Sequence, residues 1–516
     1  MQKKRSIILM IILAILLLSI GVFYGMIQTE HVPVPERMEE KTPSITPSPS
    51  PSPVPEVVTV YKPTCMQAGY ELHENLETGI TRVVDGEPAL GHDLSSDGVC
   101  LRCGYAETSS EAKTGVPKDI SANAIPRINL KGDMTGISKD KRIVLGFDFA
   151  SAQQQFSCYS FTTWQGHSSL EYPKKNYTAR LFVDQQITEK YRLIFNDWQL
   201  EHKYILKANY MDVSQARNLI AARLWGDMAA SRSGLHETLR NSSNYGAVDG
   251  FPVAVYHDDA FMGLYTMNLH KDEDLYGMRE GRREAVVIAN GQTMDESLFR
   301  ASAIFEEDVS DWELEFCGTP DQTLWAQECF NELIHFVMNS SDEQFRGELQ
   351  KHLDVNSAID YLLFIYATGL KENSAKDLVL IRYEDSPWIA TVYDMECAFG
   401  LNPEGTEFVS AQDFLPVKEE GVWDSGTGSM LWDRLLQTFE SEIAERWQML
   451  RNGVLAQEAL LAQAQSLINA IPEQELKMDM KLYLDRLIVE NPGEQIMTYI
   501  QQRLVLLDSI FSPGAK

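Results

Sequence analysis

The chain has 516 residues and carries 74 acidic against 45 basic side chains, a formal net charge of −29. A surface that negative repels a phosphate backbone, so the charge balance argues against a nucleic-acid partner. The apolar share is that of a folded protein, and the length exceeds one typical domain.

Residues 1–5 form a short basic tail with Lys3, Lys4 and Arg5. Residues 6–27 are an almost unbroken apolar run, long enough for a transmembrane helix, which takes about 20 residues. No small-residue cleavage site follows it, which favours an uncleaved anchor over a signal peptide. The preceding cations place the N-terminus in the cytoplasm and the main domain outside a single-pass cell membrane. Residues 28–56 are a Pro/Ser/Thr-rich linker with TPSITPSPSPSPVP at its centre, and they read as a semi-stiff stalk.

Residues 57–107 make a small Cys/His module. Cys65, His92, Cys100 and Cys103 offer four ligands of the kind that hold Zn²⁺ tetrahedrally, as in a zinc ribbon. A redox pair or a disulfide fits the same C-x-x-C outside the cell. The module also resembles a short repeat of bacterial surface proteins, with PTC near its start and PALGHD before CxxCG. Residues 108–122 read as a second linker, and residues 123–516 as the main domain.

The first half of that domain is β-rich, with strands expected over Arg142–Phe147, Phe156–Thr163 and Asn176–Phe182. The turn between the last two holds Gly166, Ser168 and Ser169, followed by Lys174 and Lys175. Glycine lets backbone approach a ligand, and the hydroxyls and ammonium groups suit phosphate. A second candidate is Lys207, at the end of the strand Tyr204–Leu206. Asp212–Gln215 then reads as a capping box before a helix whose stripe is Ala216, Leu219, Ile220 and Leu224. Any of the three lysines suits the phosphate role. Phe251–Tyr256 and Ala260–Met267 form a hairpin.

Helical spacing dominates afterwards. Ala358–Leu370 is an apolar helix that feeds the stretch ENSAKDLVLIRYEDSPWIATVYDMECAFG, residues 372–400. There Glu372 and Asp377 precede a hairpin of Leu378–Tyr383 and Trp388–Tyr393, and Asp394 and Glu396 follow it. Protein kinases order a base, a metal ligand, a hairpin and a second metal ligand in this way. Hard oxygen ligands suit Mg²⁺ or Mn²⁺ with ATP, and one carboxylate near the acceptor hydroxyl suits proton removal. Ser429–Arg451, Val454–Ile471 and Pro492–Phe511 read as helices that pack behind the hairpin. Trp312 and Trp423 read as core residues. Cys158, Cys317, Cys329 and Cys397 have no motif spacing.

With WQGHSSLEYPKKNY, YILKANYMDVSQARN, VYHDDAFMGLYTMNLHKDE and YDMECAFGL in this order, the chain resembles the CotH family of kinase-like spore-coat and surface proteins. The resemblance implies an α+β, atypical protein-kinase-like two-lobed domain, with a β-rich N-terminal half and a helical C-terminal half. It also implies ATP with a divalent metal and transfer to Ser/Thr hydroxyls of a surface or coat protein. Glu372 falls where the family has its catalytic Asp, and Asp394 on its metal-binding Asp. Asp377 stands at an Asn position, and Glu396 where a second Asp is usual. Those departures keep a second class open, a catalytically impaired pseudokinase that acts as a binding or assembly module. A glycan-active hydrolase with paired carboxylates ranks below both.

Overall fold

The structure is a computed structural model. It describes residues 56–61, 70–75, 81–88 and 90, and then residues 125–512 except 153–154, 196–197, 200, 279–280, 292–293, 307–308, 320–321 and 484–490. The expected anchor at 6–27, nearly all of the 28–56 linker, the 108–122 linker and the zinc candidates Cys65, His92, Cys100 and Cys103 lie outside the described residues. Among the described residues, no helix is long and apolar enough to cross a membrane. The described part of the small module is an antiparallel meander of β1 (Glu56–Tyr61), β2 (Tyr70–Asn75) and β3 (Thr81–Asp85).

The main domain is a mixed α+β fold with ten α-helices among the described residues. Its first part is a closed seven-stranded barrel. The strands are β4 (Arg127–Lys131), β5 (Ile143–Ala150), β6 (Gln155–Gln165), β7 (Asn176–Phe182), β8 (Lys203–Lys207), β9 (Gly250–His257) and β10 (Ala260–Leu269). Side chains alternate along each strand, so Leu145, Phe147 and Phe149 of β5 point inward with Tyr177, Ala179 and Leu181 of β7 and Phe251, Val253 and Val255 of β9. Neighbours pair antiparallel except β4 and β9, which run parallel and close the barrel.

His202, next to the first residue of β8, is buried with its ring edge-on to Phe182. Burial, with Lys190 and Arg192 close by, lowers its pKa to about 3. The unfolded chain therefore binds a proton near pH 6.5 that the folded chain refuses, and stability falls as pH drops from 6.5 towards 3. Between neutral pH and pH 5 this one residue should account for about 2 kcal/mol. Urea unfolding at the two pH values should show that loss in the wild type and a smaller one in His202→Gln. Equal losses would remove His202 as the cause.

A second sheet follows, in the order β12 (Trp312–Cys317), β11 (Glu284–Ala289), β13 (Leu378–Tyr383), β14 (Ile389–Val392), all antiparallel. Its central strands are buried on both faces. Val286, Ile288, Val379 and Ile381 join the barrel core, while Ala285, Val287, Leu378 and Leu380 join the core of the helical half. This explains their near-continuous apolar sequence, and it makes the sheet the wall between the two cores.

The helices are α1 (Arg217–Ala230), α2 (Glu237–Arg240), α3 (Thr323–Asn339), α4 (Asp342–His352), α5 (Val355–Thr368), α6 (Met430–Thr438), α7 (Glu440–Arg451), α8 (Gln457–Asn469), α9 (Glu473–Leu482) and α10 (Pro492–Phe511). A small hairpin of β15 (Val417–Glu419) and β16 (Val422–Asp424) precedes α6. α5 is apolar and buried on nearly every side, as a central helix must be. Its Asp360 is held between Arg232 and Arg446, both at 2.7 Å.

Two local expectations are corrected. Ser429–Arg451 is not one helix, because Phe439 turns into the core and separates α6 from α7. Asp212 and Gln215 do not form a capping box. Asp212 accepts from the backbone of Ser214 and Arg217, while Gln215, at φ +58°, donates to the carbonyls of Asn209 and Asp212. Trp312 and Trp423 are buried, and the four described cysteines are free thiols.

Candidate phosphoryl-transfer site

The open end of the β13–β14 hairpin carries the acids. Leu378 pairs with Val392 as the last rung, so Asp377 and Tyr393 leave the sheet side by side, with Asp394 one residue further. Asp377 and Asp394 both adopt left-handed backbone, at φ +58° and +47°. Asp tolerates that region better than most residues, and such conformations gather at functional sites. The Asp377 amide donates to Ala289 of β11 at 2.7 Å, which fixes the end of the sheet.

The loop before the hairpin is held from three sides. The Tyr361 hydroxyl donates to the Asn373 carbonyl at 2.7 Å, and the Trp432 indole donates to the Ser374 carbonyl at 3.0 Å. Asn373 in turn donates to the Tyr393 carbonyl at 2.9 Å, which ties this loop to the one that follows the hairpin. Glu372 sits on the short 3-10 turn so formed, half-buried, with its carboxylate 2.8 Å from the Lys376 ammonium.

The barrel contributes Lys207. Its ammonium lies 2.8 Å from Asp394 and 3.3 Å from Glu396, so β8 and the post-hairpin loop meet across 187 positions. Helix α1 pins the same loop by its backbone. Arg217 donates to the carbonyls of Ala398 and Phe399 at 2.7 and 2.8 Å, and the Asn218 side-chain Oδ1 accepts from the Met395 amide at 3.3 Å. Lys271, just after β10, completes the cluster. It pairs with Glu315 at 2.5 Å and stands 4.9 Å from the centre of the Tyr393 ring. Arg217, Asn218 and Lys271 were missed by sequence reasoning. All three lie in the blocks that carry the family resemblance, but which residues they meet depends on how α1 and β10 lie against the second sheet.

The charges respond to one another. Burial and the Asp394 charge hold the Asp377 carboxyl well above the usual range. Burial would do the same to Asp394, but the ion pair and hydrogen bond with Lys207 bring it below the usual range. Burial, opposed by Lys207 and reinforced by Asp394, raises Glu396. Lys207 is raised despite its burial, because Asp394 and Glu396 favour the cation. Lys376 is likewise raised against burial by Asp377, Glu372 and Asp394.

Of the three lysines that suit phosphate by sequence, geometry brings Lys207 alone to the acids. Lys174 is turned away and buried, paired with Asp479 of α9 at 2.8 Å. Lys175 donates to the carbonyls of Leu170 and Tyr172 and lies over Trp164, so it fastens the turn that precedes it. In that turn Gly166 has φ +117°, and a Cβ there would lie 2.0 Å from the Ser169 hydroxyl. Ser169 accepts from the side chain of Asn176, whose Oδ1 takes the Ala208 amide at 2.7 Å, while Ser168 is exposed. The turn is thus braced to the residue after Lys207, and Gln165 at its start donates to the Tyr393 hydroxyl at 3.4 Å.

Among the described residues, no group of three or more His, Cys, Asp or Glu side chains converges as a metal cage. Asp377 and Asp394 do fit an ion that brings phosphate oxygens and water as further ligands, as Mg²⁺ does. They are hard oxygen donors, and burial together with the Asp394 charge raises the Asp377 carboxyl. Glu396, also expected as a metal ligand, is engaged by Lys207.

A comparison with curated proteins gave no match. The family profile described as CotH kinase protein matches residues 163–507, from the end of β6 to α10. That span takes in the glycine turn, Lys207, the hairpin and every acid of the cluster, and it covers well over half of the chain. The chain belongs to the CotH kinase protein family.

Proposed function

We propose that the chain is a membrane-anchored, metal-dependent kinase that transfers the terminal phosphoryl group of ATP to a Ser or Thr hydroxyl of a surface or coat protein. The observation that supports this most is the Lys207–Asp394 pair, which joins a strand-borne lysine to the acid after a hairpin. Barrel and helical half then stand as the two lobes of an atypical kinase.

In this reading Lys207 neutralises phosphate charge from the barrel side. Asp394 and Asp377 hold Mg²⁺ or Mn²⁺, which when bound offsets charge on the phosphates. Glu372 accepts the proton of the acceptor hydroxyl or orients it, with the turn at 372–374 fixed by Tyr361 and Trp432. Glutamate is one methylene longer than the family's aspartate, which moves its oxygen by roughly an ångström.

A second reading is a pseudokinase that binds without turnover. The mutual engagement of the charges favours it, since Lys207 occupies both Asp394 and Glu396 and Lys376 occupies Glu372.

Label transfer from [γ-³²P]ATP, with Mg²⁺ or Mn²⁺, to the chain itself and to casein as a Ser/Thr acceptor separates the two. Glu372→Ala should lower the rate by about a hundredfold or more, the range of general-base catalysis. An unchanged rate would remove Glu372 from the role of base. Wild-type protein that binds metal–ATP yet transfers no label would establish the second reading.

A further inference from the structure

We infer that Glu396 is the positioning residue of the phosphate-binding lysine, holding Lys207 in place from the loop after the hairpin. The inference rests on the reading of Lys207 as the phosphate contact. Kinases ordinarily give this task to a glutamate on the helix that follows the lysine strand. Here that helix is α1, and its one acid, Asp227, lies in the last turn and accepts from Gln463 at 2.8 Å. Instead of a carboxylate for the lysine, α1 supplies Arg217 and Asn218 to the backbone at Met395, Ala398 and Phe399. These contacts bracket Glu396 on both sides.

The two acids that meet Lys207 differ in exposure. The Glu396 side chain is 13 % exposed and that of Lys207 12 %, whereas Asp394 is 33 % exposed. Asp394 therefore faces the side from which a nucleotide arrives and can exchange partners. Glu396 stays behind the ammonium and keeps it aimed. With lysine partner and metal acid on one loop, the two move together.

The experiment uses the full-length chain and two readouts. In the absence of nucleotide, the acylation rate of Lys207 by an amine-reactive probe is followed by mass spectrometry. Glu396→Gln should raise it severalfold, because a lysine no longer held by Glu396 swings out to the probe more often, and Glu396→Asp should stay closer to wild type. An unchanged rate overturns the inference even if no nucleotide ever binds. In ATP titrations read by thermal unfolding, Glu396→Gln should weaken binding about tenfold at every Mn²⁺ concentration, the factor one charged hydrogen bond is worth. It should add nothing further to Lys207→Met. Recovery at high Mn²⁺ would make Glu396 a metal ligand, and additivity with Lys207→Met would show that it does not act through the lysine. A wild type with no metal-dependent ATP response fails the functional reading itself and leaves the labelling result to decide the pairing.

Discussion

Asp394→Asn should abolish the metal-dependent stabilisation of this chain by ATP while leaving the fold intact. At about a hundred times its dissociation constant, a ligand stabilises the folded state by about 2.7 kcal/mol, a shift of a few degrees in unfolding temperature. That shift should appear in the wild type with ATP plus Mg²⁺ or Mn²⁺, and neither with ATP alone nor in the variant. The fold should hold for two reasons. Lys207 keeps Glu396 at 3.3 Å, and the Asp394 side chain is one-third exposed, so water screens part of the lost pair. The loop also remains fastened to α1 through Met395, Ala398 and Phe399. Label transfer should fall by at least about a hundredfold, because a displaced or missing metal misplaces the phosphates. An ATP–metal shift of wild-type size in Asp394→Asn would put the metal elsewhere.

Lys174→Met should do the reverse, lowering stability without touching nucleotide affinity. The side chains of Lys174 and Asp479 are both fully buried, and the ion pair joins the segment after the glycine turn to α9. Tyr265 and Tyr483 flank the ammonium at 4.8 and 5.5 Å from their ring centres. The bulge between Phe261 and Gly263 presents the Leu264 amide to Asp479 at 2.9 Å. Gly263 leaves the room for this, since a Cβ there would lie 2.6 Å from the Asp479 carboxylate. Removing one partner of a buried pair strands the other charge and costs about 3–5 kcal/mol. Urea unfolding should show that loss, and Lys174→Met combined with Asp479→Leu should recover only part of it, because the stranded charge is gone but the Leu264 amide loses its acceptor. Lys207→Met should give the opposite pattern, with weak ATP binding and a smaller change in stability. Lys174→Met protein that keeps its stability but binds ATP about tenfold more weakly would return Lys174 to the phosphate role.

The sequence by itself determined the features that are local. Runs of β-favouring residues marked β6, β7, β13 and β14, and the turn residues Glu384–Pro387 between the last two set the hairpin that carries Asp377 and Asp394. The order of strand, Lys207 and helix was legible because each is a short-range pattern. The 284–352 region was not: β11 lacks alternation because both its faces are buried, and no turn residue announces that its partners are β12 and β13. Only the tertiary structure decided which lysine meets the acids. Lys174, Lys175 and Lys207 share a charge and similar neighbours. What separates them is the direction in which barrel closure aims each one, and that rests on the parallel β4–β9 pairing and on where α9 docks. The ion pair of Lys207 with Glu396 likewise spans 189 positions and depends on packing that no window of sequence contains.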